Sequence, residues 1–144
     1  MESERPINLV ALIDDDEIAN FIGKKVIEQT ELVKQIKLFS GGQLAIDFLT
    51  KNAGQADLLP EIILLDLNMP GMDGFEFLEE YIKLEPRIGK KINIYVLSSS
   101  LASSDYDRIS CINSVSDFIV KPITKEKFEK IVKALLEKPI AREE

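Results

Sequence analysis

Five apolar runs of strand length, at residues 7–13, 33–39, 62–65, 92–97 and 118–120, alternate with stretches whose apolar residues recur at helical spacing. Ile18, Phe21, Ile22 and Val26 mark the first of these stretches. Leu44, Ile46, Phe48 and Leu49 mark the second, and Phe75, Leu78 and Ile82 the third. Residues 102–113 are more polar and carry the faintest helical pattern. The last stretch is the clearest, because Phe128, Ile131, Val132, Leu135 and Leu136 form one i, i+3, i+4, i+7, i+8 stripe. The order is therefore βαβαβαβαβα. Runs one, three and four are almost continuously apolar, which suits strands covered on both faces, and helical crossovers join parallel neighbours. An open parallel sheet with helices on both sides follows. Asp73 with Glu76 predicts an acidic capping box ahead of the third helix, Pro86 and Gly89 predict its end, and Pro60 precedes strand three. The 144 residues contain no internal repeat and no linker rich in Pro, Gly or Ser. One domain over 1–144 is expected, with a core of about 7–138 and short flexible termini.

Composition removes several kinds of chemistry. The chain has no histidine, so a Ser-His-Asp or Cys-His nucleophile pair and an imidazole zinc site are excluded. Cys111 is the single cysteine and has no intramolecular disulfide partner, which points to a reducing cytoplasm. The 25 Asp and Glu outnumber the 18 Lys and Arg, for a net charge of -7, and this argues against nucleic acid as a partner. Basic residues do gather near the end, but Glu126, Glu129, Glu137, Glu143 and Glu144 interleave with them, as on a solvated helix face. No apolar run approaches the roughly 18 residues of a membrane span, so membrane insertion is not expected. The acidic N-terminus carries no visible export signal.

In a doubly wound sheet, ligands bind outside the carboxyl ends of the strands. Those ends are Asp14, Asp15 and Asp16 after strand one, Asp66 after strand three, Ser98 to Ser100 after strand four and Lys121 after strand five. Strand two ends in Phe39-Ser40-Gly41-Gly42 and offers no charge. Clustered carboxylates without imidazole or thiolate favour a hard cation, Mg²⁺ or Mn²⁺. Each element has a plainer reading. Asp14-Asp15-Asp16-Glu17 reads as a helix N-terminus, the serines as a polar strand exit, and Lys121 as an exposed lysine before a proline. The ordered set is what carries specificity.

Taken in order, Leu12-Ile13-Asp14-Asp15-Asp16, Leu64-Leu65-Asp66-Leu67-Asn68-Met69-Pro70-Gly71-Met72-Asp73-Gly74, Tyr95-Val96-Leu97-Ser98-Ser99 and Phe118-Ile119-Val120-Lys121-Pro122 resemble the receiver domain of two-component response regulators. The resemblance covers nearly the whole chain. It implies a flavodoxin-like strand order 2-1-3-4-5 with five helices, and Asp66 as phosphoacceptor. It further implies that Asp15 binds Mg²⁺ directly, Asp14 mainly through water, and the backbone carbonyl of Asn68 as a further ligand alongside Asp66. Ser98 would hydrogen-bond the phosphoryl group and Lys121 would pair with one of its oxygens. Ser98 is preferred over Ser99 as the switch hydroxyl because it is the first polar residue after the apolar run. Phe118 stands where the family carries a switching aromatic, and equally suits an ordinary core position. By the same likeness Pro122 follows a cis peptide bond, and Asn68 and Ser100 flank the site where they could tune the lifetime of the phosphorylated form.

The implied function is a stand-alone receiver in a two-component system or phosphorelay, since the chain ends soon after the fifth helix. Without a histidine of its own it would draw phosphoryl groups from a sensor histidine kinase, a histidine phosphotransferase or a small phosphodonor. An effector, whose identity the sequence does not specify, would read the face formed by the fourth helix, fifth strand and fifth helix. A rival reading is a phosphohydrolase of the haloacid dehalogenase type built on Asp14, with Ser98 and Lys121 in support; it leaves the Asp66 segment unexplained. A receiver-like scaffold that is never phosphorylated usually lacks an acidic, acceptor or lysine position, and all are present here.

Overall fold

A computed structural model describes residues 5–99 and 103–137, and side chains except those of residues 103–105. The expected flexible termini, the outer core limit at 138 and Ser100 lie outside the described residues. The strands are β1 (Ile7–Ile13), β2 (Val33–Phe39), β3 (Ile62–Asp66), β4 (Asn93–Ser98) and β5 (Val115–Val120). The helices are α1 (Glu17–Thr30), α2 (Gly42–Lys51), α3 (Gly74–Ile88), α4 (Ser103–Ser110) and α5 (Lys125–Leu136), with a 3₁₀ turn at Ala56–Leu58. All strand pairs are parallel, in the order β2-β1-β3-β4-β5. This is the flavodoxin-like order expected from the sequence.

Successive strand side chains point to opposite faces, and β1 and β3 feed two cores at once. Ala11, Ile13, Ile63 and Leu65 pack with Ala45, Leu49, Phe77, Leu78 and Tyr81 from α2 and α3, and with Ile109 from α4. Val10, Leu12, Ile62 and Leu64 pack with Ile27 of α1 and Phe128, Ile131 and Val132 of α5. Covering both faces explains why these strands read as unbroken apolar runs.

Several local expectations need correction. In α1 the predicted apolar residues Ile18, Phe21 and Ile22 are 71%, 56% and 51% exposed, whereas Asn20, Gly23 and Ile27 are buried. The helix approaches β1 through Gly23, where an added Cβ would already touch Leu12 Cδ2 at 3.4 Å, so its bulky stripe faces outward. α3 buries the expected Leu78 together with Phe77, Tyr81, Leu84 and Ile88, packs Phe75 half-buried against the same core, and departs from the expected stripe in leaving Ile82 exposed. Pro86 does not end α3 but lies inside its last turn. There the missing N–H removes a single ladder bond, and the helix stops at Gly89, whose φ of 76° is the left-handed conformation glycine tolerates. β3 and β4 run on to include Asp66 and Ser98. β5 begins at Val115 because it is an edge strand and accommodates the polar Ser116 and Asp117.

Candidate functional site

Asp16, not Asp14 or Asp15, caps α1: its carboxylate accepts from Ile18 N at 2.9 Å and Ala19 N at 3.2 Å. The helix-cap reading of the acidic run therefore accounts for one of the three aspartates. β1 and β3 are neighbours, with Ile13 opposite Leu65, so Asp14 and Asp66 leave the sheet side by side. Asp14, Asp15 and Asp66 each offer a carboxylate oxygen, and these oxygens all lie within 4.8 Å of one another. Lys121, from the end of β5, reaches across the sheet edge to Asp14 Oδ2 at 2.9 Å and Asp66 Oδ1 at 3.2 Å.

Asp14 and Asp66 are each only 6% exposed, while Asp15 is open to solvent. Burial raises the pKa of Asp66, and the Asp14 charge raises it further; Lys121 and the backbone N–H of Asn68 act against that rise. Burial would lower the pKa of Lys121, but its hydrogen bond and charge pairing with Asp14, and then with Asp66, leave it above its ordinary value. A unit charge pair at 4 Å is worth about 4 kcal/mol at an effective dielectric of 20, so one ammonium cannot balance three carboxylates. The excess negative charge, all on oxygen donors, suits a hard divalent cation.

Ser98 is the buried last residue of β4, and its carbonyl accepts from Lys121 N at 2.8 Å, which ties the ends of β4 and β5 together. Ser99 is exposed. The side chain of Asn68 is exposed and its backbone N–H is directed to Asp66. The segment after Asp66 is folded tightly onto itself: Gly74 N donates to Leu67 O at 2.9 Å, and a Cβ on Gly74 would stand 2.7 Å from Leu67 Cα. Only glycine fits there, and the reciprocal Asp73–Glu76 capping box then starts α3. Phe118 is half-buried, with its ring stacked on Tyr106 of α4 at 5.8 Å. The Lys121–Pro122 peptide bond is cis.

Two features were not expected from the sequence. Asn20 is buried in α1 and donates to the carbonyls of Asp14 and Phe39. Its only sequence signal is a polar residue four positions after the Asp16 cap, on what proves to be the buried face. The second is a cavity of about 260 Å³ that begins at Asp14 and Lys121 and continues past Ile18, Ile22, Pro122 and Ile123. The outward side of α1 forms one wall of it, through Ile18 and Ile22.

A family model described as the response regulator receiver domain matches residues 10–133. Among solved structures, a two component response regulator from Cytophaga hutchinsonii superposes with a TM-score of 0.82 at 32% identity, covering 93% of this chain and 100% of that one. The probable methanogenesis regulatory protein FilR2 of Methanothrix harundinacea is 28% identical over 137 residues, which span 95% of this chain and 86% of the relative. The protein-glutamate methylesterase/protein-glutamine glutaminase of Treponema pallidum is 30% identical over 118 residues. That match spans only 27% of the relative's length.

Proposed function

Because the chain belongs to the response regulator receiver domain family, we propose that it signals by accepting a phosphoryl group on Asp66 from a phosphohistidine of a partner protein. The observation that carries this reading is the convergence of Asp14, Asp15 and Asp66 within 4.8 Å beside a lysine that touches two of them. In the transfer, a carboxylate oxygen of Asp66 attacks phosphorus, the bond from phosphorus to the donor nitrogen breaks, and the leaving imidazole keeps that electron pair. The product is an acyl phosphate. No turnover of a separate substrate is involved.

Asp14, Asp15 and Asp66, with the backbone carbonyl of Asn68, would hold Mg²⁺ or Mn²⁺; their oxygen-only donor set and close spacing fit such an ion. When bound, the cation supplies positive charge that offsets the incoming phosphoryl oxygens. Lys121 contributes an ammonium already positioned at the acceptor, and on transfer it would exchange a carboxylate oxygen for a phosphoryl oxygen. The hydroxyl of Ser98 would donate to another. Asn68 flanks the acceptor and would influence access of water to the acyl phosphate.

The donor is best accommodated over α1, where Ile18, Phe21 and Ile22 form an exposed apolar strip next to the acidic site. A histidine-bearing helix laid on that strip would bring its imidazole to Asp66. The effector would read the face of α4, β5 and α5, with Ser98 and Phe118 relaying the state of Asp66. No described helix is long and apolar enough to cross a membrane.

The test is incubation with acetyl phosphate and Mg²⁺ followed by mass spectrometry. One acid-stable, base-labile phosphoryl group on Asp66, absent from Asp66→Ala, is the expected result. Phosphorylation at Asp14 instead, with hydrolysis of a generic phosphomonoester, would return the haloacid dehalogenase reading and defeat this one.

A further inference from the structure

Asn20 is 4% exposed on the face of α1 that packs against the sheet, where helices ordinarily present apolar side chains. Its Nδ2 donates to Asp14 O at 2.9 Å and to Phe39 O at 3.3 Å. Phe39 O also accepts from Asp14 N at 3.0 Å, so one amide clasps the carboxyl ends of β1 and β2. Its Oδ1, by contrast, is buried with no hydrogen-bond partner among the described residues. A buried acceptor left in that state opposes stability, so core packing alone does not account for an amide here.

The carbonyl that Asn20 holds belongs to the peptide unit joining Asp14 to Asp15. A peptide unit is planar, so holding its oxygen also orients the nitrogen and Cα of Asp15. With this bond every polar group of Asp14 is engaged. Its N–H meets Phe39 O, its carbonyl meets Asn20, Oδ1 accepts from Asp16 N at 3.0 Å, and Oδ2 meets Lys121. The carboxylate of Asp15 is exposed and takes its direction from that backbone.

We propose that Asn20 is a positioning residue for the metal site, setting the peptide plane between Asp14 and Asp15 so that both carboxylates face Asp66. The proposal rests on the reading above of these acids as cation ligands. Removing an outer partner of a metal ligand typically weakens binding about 10- to 100-fold.

The experiment measures the Mg²⁺ dissociation constant of the full chain by ¹⁵N NMR titration. Asn20→Leu keeps bulk and removes the donor; Asn20→Ala removes both, with the residue that most favours a helix. Ile27→Val, on the same buried face, controls for general loosening of α1. Both Asn20 variants are expected to bind Mg²⁺ about ten-fold more weakly, and to shift the Asp15 amide resonance before any metal is added. Ile27→Val should change neither. Wild-type Mg²⁺ affinity in Asn20→Ala overturns the proposal and leaves the acidic site standing as a cation site. An equal loss in Ile27→Val also overturns it, by reducing Asn20 to a packing residue. Absence of Mg²⁺ binding in the wild-type chain overturns the cation reading itself, and this inference with it.

Discussion

Asp66 is held where ionisation is opposed: burial and the Asp14 charge raise its pKa, and Lys121 only partly compensates. The consequence for stability has a definite sign. The folded state keeps the Asp66 proton to higher pH than the unfolded chain does, so in metal-free buffer this group makes stability fall as pH rises from about 4 through the raised folded pKa. Asp66→Asn removes the charge at nearly constant shape. It should therefore unfold at a higher temperature than wild type at pH 7, and the advantage should vanish below pH 4, where both forms are neutral. Thermal melts at the two pH values, without divalent ions, check this; an unchanged or lower midpoint at pH 7 contradicts it. Lys121 follows the same sign in a higher pH window. Its raised pKa means that its pairing stabilises the fold up to the ordinary lysine range, and that the contribution is lost as pH climbs through the folded value. The candidate site was legible at this scale because its residues fall at strand ends, and a parallel sheet brings such ends to one edge. Asn20 was not legible, since which side of α1 faces the sheet depends on Gly23 against Leu12.

Helix ends were easier to read than helix faces. The Asp73–Glu76 capping box is a local arrangement of two side chains and the first turn, and it forms as expected. Asp73→Ala should lower stability by about 0.5–2 kcal/mol in urea titration. A larger loss would show that the segment from Asp66 through Gly74 unfolds with the cap. The buried faces of α1 and α3 depend instead on how closely each helix approaches the sheet, which periodicity alone does not contain. For α4 the pattern is faint because polar residues dominate it, and two ring contacts help hold its second half. Tyr106 stacks on Phe118, and the guanidinium of Arg108 lies 3.6 Å from the centre of the Phe75 ring at the start of α3. A cation–π contact at an exposed site is worth roughly 0.5–1 kcal/mol, equivalent to about a two- to five-fold change in an opening equilibrium. Arg108→Ala should thus raise amide hydrogen exchange in α4 by about that factor, and leave α5 unaffected. Uniform acceleration across the sheet would mean that Arg108 stabilises the whole fold and not α4 locally.

At the scale of the molecule, the order β2-β1-β3-β4-β5 follows from alternating strands and helices with right-handed crossovers, together with the resemblance carried by the acidic, serine and lysine motifs. The surface was less legible, because an apolar stripe on a helix says that something must cover it without saying what. On α1 the sheet does not cover it. Ile22 is 51% exposed and lines the cavity that begins at Asp14 and Lys121, yet it is neither a member of the acidic cluster nor buried in the core. On the proposed function, this placement separates two ways of loading Asp66: a small phosphodonor would need only the acidic site and Lys121, whereas a protein donor would also lay a surface against α1. Ile22→Glu puts a charge on that surface without altering a carboxylate, and desolvating it under a partner helix is unfavourable. The variant should therefore be phosphorylated by acetyl phosphate at the wild-type rate, and by a phosphorylated histidine phosphotransferase at least about ten-fold more slowly, corresponding to roughly 1.4 kcal/mol of lost docking. Equal slowing with both donors would place the damage in the acceptor site, and no slowing with either would move the donor surface off α1.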